Sequence, residues 1–149
     1  MEVPNSDCIY LIGGDDGFFD LNSTEFISLK YGADKGPTLP FVISFHCLIK
    51  VNDSQILIAG GKQNGTTSKN TWKIAFSGEK IVKVEKGPML NAERKLMACG
   101  KMRDLQGNWR LVVAGGKDAS GTSLNSTEIL NSTLDAVWKK GTQRKPITF

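Results

Sequence analysis

A run of apolar residues ending on two glycines occurs three times in this chain: Cys8-Ile-Tyr-Leu-Ile-Gly-Gly14, Gln55-Ile-Leu-Ile-Ala-Gly-Gly61 and Trp109-Arg-Leu-Val-Val-Ala-Gly-Gly116. Four to five consecutive apolar residues rich in Ile, Leu and Val predict a strand buried on both faces. The run is too short for a stable helix. Paired glycines reach φ > 0 and let backbones approach closely, so they stop each strand in a tight turn. Three copies make a repeat, and a repeat limits the fold more than any single motif does.

Two further markers keep the same order. The doublets begin at Gly13, Gly60 and Gly115, 47 and 55 residues apart. Gly36-Pro37-Thr-Leu-Pro40 returns 51 residues later as Gly87-Pro88-Met-Leu-Asn91. Leu21-Asn-Ser-Thr-Glu-Phe26 returns as Leu124-Asn-Ser-Thr-Glu-Ile129. In the middle unit Lys69-Asn-Thr-Trp-Lys-Ile74 takes that place, with Trp72 read at the Thr position and Lys73 at the Glu position.

Each unit reads as strands joined by turns. A polar loop follows each doublet, at 15–20, 62–68 and 117–123, and then a third strand at 25–29, 71–76 or 128–130. Lys80-Ile-Val-Lys-Val-Glu-Lys86 alternates as a half-exposed outer strand, with Ile81 or Val82 and Val84 available for packing. Gly-Pro opens the connection to the next unit, because Pro cannot continue a ladder. First strands are expected over 41–50 and 94–102, and the last unit gains a longer hairpin at 103–108.

Four short strands per unit at a period near 50 resemble the kelch repeat, the unit of one class of β-propeller. The resemblance runs from about Cys8 to Thr142. It rests on the doublets Gly13-Gly14, Gly60-Gly61 and Gly115-Gly116, on Glu25 and Glu128 in the recurring Asn-Ser-Thr-Glu, on Arg94 after a connection and on the outer-strand Trp138. Ala33 and Val84 stand where two further tryptophans would be, Ile43 stands where a second arginine would be, and His46 and Met97 share a position where many members carry histidine. The resemblance implies an all-β fold of about three four-stranded antiparallel blades in one region, 1–149. The units are approximately 8–36, 37–87 and 88–141, with 142–149 the start of a further blade or a tail. Propellers close with about four to eight blades, so the ring is not closed within this chain. An open arc leaves apolar blade faces in water. Either the chain is part of a longer protein or copies assemble to complete the ring.

Composition narrows the functional classes. A net charge of +4 is only mildly basic, and no dense basic stripe with interleaved aromatics is present, so nucleic acid is not an expected partner. No apolar run approaches a membrane span, and Met1-Glu-Val-Pro-Asn-Ser-Asp7 lacks the apolar core of a signal peptide. Cys8, Cys47 and Cys99 form no framework of pairs; two sit inside apolar runs and are expected to act as small buried hydrophobes. Without CxxC, zinc is not expected. Some kelch-type propellers are copper oxidases whose site takes two histidines and two tyrosines. One histidine, His46, with Tyr10 and Tyr31 falls short of that set. Asp15-Asp16 beside Gly17 reads as a solvated turn. No nucleophile with its base and no phosphate loop is present. No catalytic residue, cofactor or metal is expected.

The resemblance therefore implies a non-catalytic binding scaffold for proteins or glycans. Loops on a rigid frame carry recognition, which singles out Asp15, Asp16, Phe18, Phe19, Lys62, Gln63, Asn64, Lys117, Asp118 and Ser120. Five asparagines fit N-x-S/T: Asn22, Asn52, Asn64, Asn125 and Asn131. Chance predicts about one, and only Asn22 and Asn125 belong to the repeat itself. The excess leans toward a secreted adhesion or recognition protein if residues precede Met1, and otherwise the cytoplasm is expected. The first alternative is the substrate-recognition propeller of a ubiquitin-ligase adaptor whose BTB part lies outside this sequence. The second is a propeller enzyme of the sialic-acid epimerase type, disfavoured because no set of polar residues converges.

Overall fold

The computed structural model describes residues 8–134 and 136–141. Among these the chain is all-β and antiparallel, without a helix. Strands β1 (Cys8–Ile12), β2 (Thr24–Ser28) and β3 (Gly32–Lys35) form sheet 1 in that order. Next come β4 (Cys47–Asn52) and β5 (Gln55–Ala59), a small hairpin of β6 (Lys62–Gln63) and β7 (Thr66–Thr67), and then β8 (Thr71–Ser77) and β9 (Lys80–Lys86). Sheet 2 has the order β4-β5-β8-β9. Sheet 3 is β10 (Ala98–Arg103), β11 (Trp109–Ala114), β12 (Thr127–Asn131) and β13 (Lys139–Lys140), again in sequential order. No helix among the described residues is long and apolar enough to cross a membrane. The expected further unit or tail at 142–149, and Met1 to Asp7, lie outside the described residues.

Alternation along the strands stacks the sheets with sheet 2 in the middle. Tyr10 and Ile12 of sheet 1 pack against Ile56, Ile58 and Ile74 of sheet 2. On the opposite face of sheet 2, Ile49, Leu57 and Ala59 pack against Leu111, Val113 and Leu130 of sheet 3. Strand β5 is thus enclosed on both faces, with Leu57, Ile58 and Ala59 at 0% exposure. Strand β1 is not, contrary to its apolar sequence: Ile9 and Leu11 are nearly half exposed, because no described sheet covers that side. Of the outer-strand residues, Ile81 and Val84 pack inward while Val82 is exposed.

Three local readings are corrected. The first strands begin later than expected, at Cys47 and Ala98. The residues before them are held instead by the doublet loops, through the bridges Leu21↔Ile43, Ser44↔Lys62 and Lys95↔Lys117. The loop at 62–68 contains the β6–β7 hairpin, whose tip Asn64-Gly65 has φ > 0 at both residues. The middle unit is also displaced by one residue from the sequence reading. The Gly13, Gly60 and Gly115 N–H groups donate to the carbonyls of Ser23, Asn70 and Ser126, and Gly36, Gly87 and Gly141 donate to Thr24, Thr71 and Thr127. Thr71, not Trp72, is therefore the counterpart of Thr24, and both hydroxyls donate to a proline carbonyl, Pro88 and Pro37 respectively. Trp72 occupies the glutamate position.

That shift explains two different fillings of one site. In sheet 3 the Glu128 carboxylate, 1% exposed, accepts from Arg94 at 2.8 Å, from the Asn91 N–H at 2.6 Å and from the Ala92 N–H at 3.1 Å. Arg94 also donates to the Gly115 and Ser126 carbonyls. One unit earlier the same positions hold Trp72, Phe41 and Ile43, and the two rings stack at 3.9 Å between centroids. A buried charged cluster at one junction is thus replaced by apolar packing at the other, an exchange that often leaves stability unchanged or raised.

The three cysteines, expected to form no pairs, include one crosslink. Cys47 on β4 and Cys99 on β10 form a disulfide with Cα atoms 6.1 Å apart, tying sheet 2 to sheet 3. The two cysteines are 52 residues apart in sequence and meet because β4 and β10 are the first strands of adjacent sheets. Cys8 is buried outside this bond, its thiol donating to the Glu79 carboxylate at 3.0 Å. Reduction, or Cys47→Ser with Cys99→Ser, is expected to lower stability by about 2–4 kcal/mol in urea melts. An unchanged midpoint would contradict a crosslink between the sheets.

Trp138 is 3% exposed in the core between sheets 2 and 3, and its indole N–H donates to the Pro88 carbonyl at 2.8 Å. Trp138→Ala is expected to cost about 3–5 kcal/mol. A loss below about 0.5 kcal/mol, the scale of an exposed side chain, would contradict that burial.

Candidate functional site

Antiparallel strand direction gathers the doublets, their following loops and the connections between sheets at one end of the stack, the loop end. The hairpin turns lie at the other. At the loop end the loops of sheets 1 and 2 are locked together around Asp20. This carboxylate is 8% exposed and accepts from the Ser44 hydroxyl at 2.5 Å and the Gly65 N–H at 2.8 Å. Lys62 lies 3.4 Å from Asp20 and 3.3 Å from Asp15, bridging the two loops. Burial acts to raise the Asp20 pKa, but Gly65, Ser44 and Lys62 together hold it below the usual range. The hydrogen bond to Asp15, reinforced by the charges of both aspartates, raises Lys62 against the opposing effect of burial.

The turn at 15–20 is braced from within. Asp15 accepts from the Gly17 N–H at 2.8 Å, and Asp16 accepts from the N–H groups of Phe19 at 2.7 Å and Phe18 at 2.9 Å. Those two bonds lower the Asp16 pKa, with Phe19 the larger cause. Bracing holds the Phe18 and Phe19 rings out in water, 86% and 72% exposed. They line a cleft of about 410 Å³ with Asp20, Val42, Lys62, Asn64 and Gly65. Phe45, whose ring centroid is 5.7 Å from the Lys62 ammonium, adds a third aromatic nearby. Phe45 and its counterpart Leu96 both have positive φ, at 50° and 57°, and the Leu96 N–H donates to the Phe45 carbonyl at 3.0 Å. Both side chains are exposed. Left-handed backbone at two large apolar residues costs free energy and marks a surface whose conformation is held by its surroundings.

The remaining sequence-derived residues divide clearly. Gln63 faces inward, accepting from Ser68 at 3.1 Å and Asn70 at 2.8 Å, so it ties the hairpin rather than presenting itself. Asn64 is at the exposed hairpin tip. In the third loop Asp118 accepts from the Ser120 hydroxyl at 2.6 Å and the Thr122 N–H at 2.9 Å, and the Ser120 bond chiefly lowers its pKa. Among the described residues no ion pair joins Lys117 or Asp118 to the Lys62 cluster. The six doublet glycines all have positive φ. Glu25, unlike Glu128, is exposed. Asn52, Asn64, Asn125 and Asn131 are exposed, whereas Asn22 is half-buried and donates to the Leu39 carbonyl at 3.4 Å.

The groups considered for copper are dispersed. Tyr10 donates to the Glu79 carbonyl at 2.6 Å in the core, Tyr31 is exposed in the β2–β3 turn, and His46 stands at the loop end. Burial lowers the His46 pKa to about 4, so its ring is neutral at pH 7. No cluster of three or more His, Cys, Asp or Glu suited to a metal occurs among the described residues.

Sequence reasoning named the loops but missed Asp20, Val42, Ser44, Phe45 and Leu96 as members of this surface. The only available signal was the 51-residue spacing of Phe45 and Leu96, bulky apolar residues ahead of successive first strands. No protein-family model matches the chain, and no curated protein matches it.

Proposed function

We propose that the chain is a kelch-type β-propeller segment that works as a non-catalytic scaffold, recognising a protein partner with its loop end. The observation that carries this reading is the set of exposed apolar side chains, Phe18, Phe19, Phe45 and Leu96, held beside the Asp15–Lys62–Asp20 cluster. Aromatic side chains carried on a braced backbone make effective interface anchors, because that backbone has little conformational freedom left to lose. The three charged groups already satisfy one another, so they suit a role in shaping the surface rather than in acid–base chemistry. Similar units, one three-stranded and two four-stranded sheets stacked face to face with glycine doublets at one end, support the propeller reading, and additional sheets of the same kind would complete the ring.

The secreted version is favoured over the intracellular adaptor by two observations. A disulfide crosses between sheets 2 and 3, as oxidising compartments permit. Four of the five sequon asparagines are exposed. A glycosidase-sensitive mass on the endogenous protein is the expected result, and an unmodified cytosolic protein would contradict it.

Binding is tested by quantitative capture from the native source with the chain and its Phe18→Ser/Phe19→Ser double variant as paired baits. At least one partner should fall by about tenfold or more, the scale of losing an aromatic anchor, while a turn-end control such as Lys80→Ser retains it. Equal capture by all three baits would remove the loop end as the recognition surface.

A further inference from the structure

Among the described residues, each end of the stack leaves an apolar sheet face uncovered, and the repeat register places these two faces at the positions that meet in the internal junctions. Counted back from the doublets, Ile9 and Leu11 on β1 occupy the positions of Ile56 and Ile58 on β5 and of Leu111 and Val113 on β11. In sheets 2 and 3 this face receives the preceding sheet. In sheet 1 no described residue covers it, and Ile9 is 46%, Leu11 47% and Ile27 38% exposed. On sheet 3, Val112 and Ala114 occupy the positions of Tyr10 and Ile12 in sheet 1 and of Leu57 and Ala59 in sheet 2. Those earlier residues dock onto the following sheet. Here they face outward beside Met102, which is 55% exposed.

Glu25 adds a polar observation. Its counterpart Glu128 is buried by the connection arriving from the preceding sheet, through Asn91, Ala92 and Arg94. Glu25 stands exposed on the Leu11 side of sheet 1, the two residues paired in register. The first face is therefore built to receive a preceding sheet, and the last face to dock on a following one.

We propose that the occupant is a second copy of this chain, with the outward face of sheet 3 in one copy seated on the outward face of sheet 1 in the next. The contact is head-to-tail and follows the face-to-face packing of the two junctions within the chain, although sheet 1 has no counterpart of the first strands β4 and β10 among the described residues. Such a heterologous contact closes into a ring when the rotation permits and otherwise continues as a filament. Two copies would supply six sheets, within the usual range for a closed propeller. The loop-end surface does not depend on this contact, and failure of one leaves the other standing.

The test uses the full chain in size-exclusion chromatography with light scattering. Wild type is expected to run as a discrete assembly of at least twice the 16.2 kDa chain mass. Leu11→Lys, which places an ammonium beside Glu25, and Val112→Lys should each be monomeric while keeping a cooperative urea transition. Met102→Lys serves in place of Val112→Lys if that variant does not fold. Mixed in equal amounts, the two monomeric variants should form a one-to-one pair, since each retains the face the other has lost. This pairing is also expected if wild type forms longer polymers. A monomeric wild type, assembly disrupted from one face only, or a mixture that stays monomeric would each overturn the proposal.

Discussion

Gly60→Val is expected to yield no soluble, folded protein. Gly60 ends β5, the enclosed strand of the stack, at φ +58°, a conformation that a β-branched residue rarely adopts. Space is a second obstacle. A Cβ there would sit 2.3 Å from the Met97 methyl and 2.5 Å from the Arg94 carbonyl oxygen. The methionine tip can swing away, but the carbonyl cannot, because it is held by the Gly61 N–H at 2.8 Å and belongs to the segment that delivers Arg94 to Glu128. Relieving the clash would therefore disturb the turn, the connection and the buried ion pair together. Gly65, at φ +79° with nothing within 4 Å of an added Cβ, provides the control. Gly65→Ala should fold with a loss of about 1–2 kcal/mol from backbone strain alone. Soluble yield and a urea transition distinguish the two, and a normally folded Gly60→Val chain would contradict the turn.

The second large effect is expected at Glu128. Glu128→Leu should cost about 3–5 kcal/mol, because Arg94, 0% exposed, would keep its charge without the carboxylate, and the Asn91 and Ala92 N–H groups would lose their acceptor. The other junction of the same chain suggests a compensation. Ala92→Phe, Arg94→Ile and Glu128→Trp together copy Phe41, Ile43 and Trp72 and should recover most of that loss, since a buried ion pair can be exchanged for well-packed apolar groups. Urea denaturation of the single and triple variants measures both. A single variant within about 0.5 kcal/mol of wild type, the range of ordinary surface substitutions, would mean that the pair does not hold the junction.

What could be read from the sequence was local. Apolar runs closed by glycine doublets located β5 and its relatives, and alternation from Lys80 to Lys86 matched the limits of β9. What escaped depended on contacts between distant residues. Cys47 and Cys99 meet only because two sheets stack with their first strands side by side, and no spacing rule encodes that. The middle unit reads one residue out of step because Asn70 has the same side chain as Asn22, whereas the backbone bond from Gly60 places it opposite Ser23 and Ser126. Ile9 and Leu11 have the composition of a doubly buried strand, but burial also requires a neighbour. The Asp20 cluster draws on Ser44, Lys62 and Gly65, which are 24 to 45 residues distant and carry no joint pattern.

Residue-resolved amide hydrogen exchange on the monomeric form of the chain, Leu11→Lys if wild type assembles, tests the stacked arrangement most directly. Sheet 2, packed on both faces, should open only with global unfolding, whereas sheets 1 and 3 can also open by separating from it. The amides of Ile56 to Ala59 and the β8 amides paired with them are therefore expected to exchange most slowly in the chain. Protection of the sheet 1 or sheet 3 ladders equal to or above that of β5 would contradict the placement of sheet 2 at the centre.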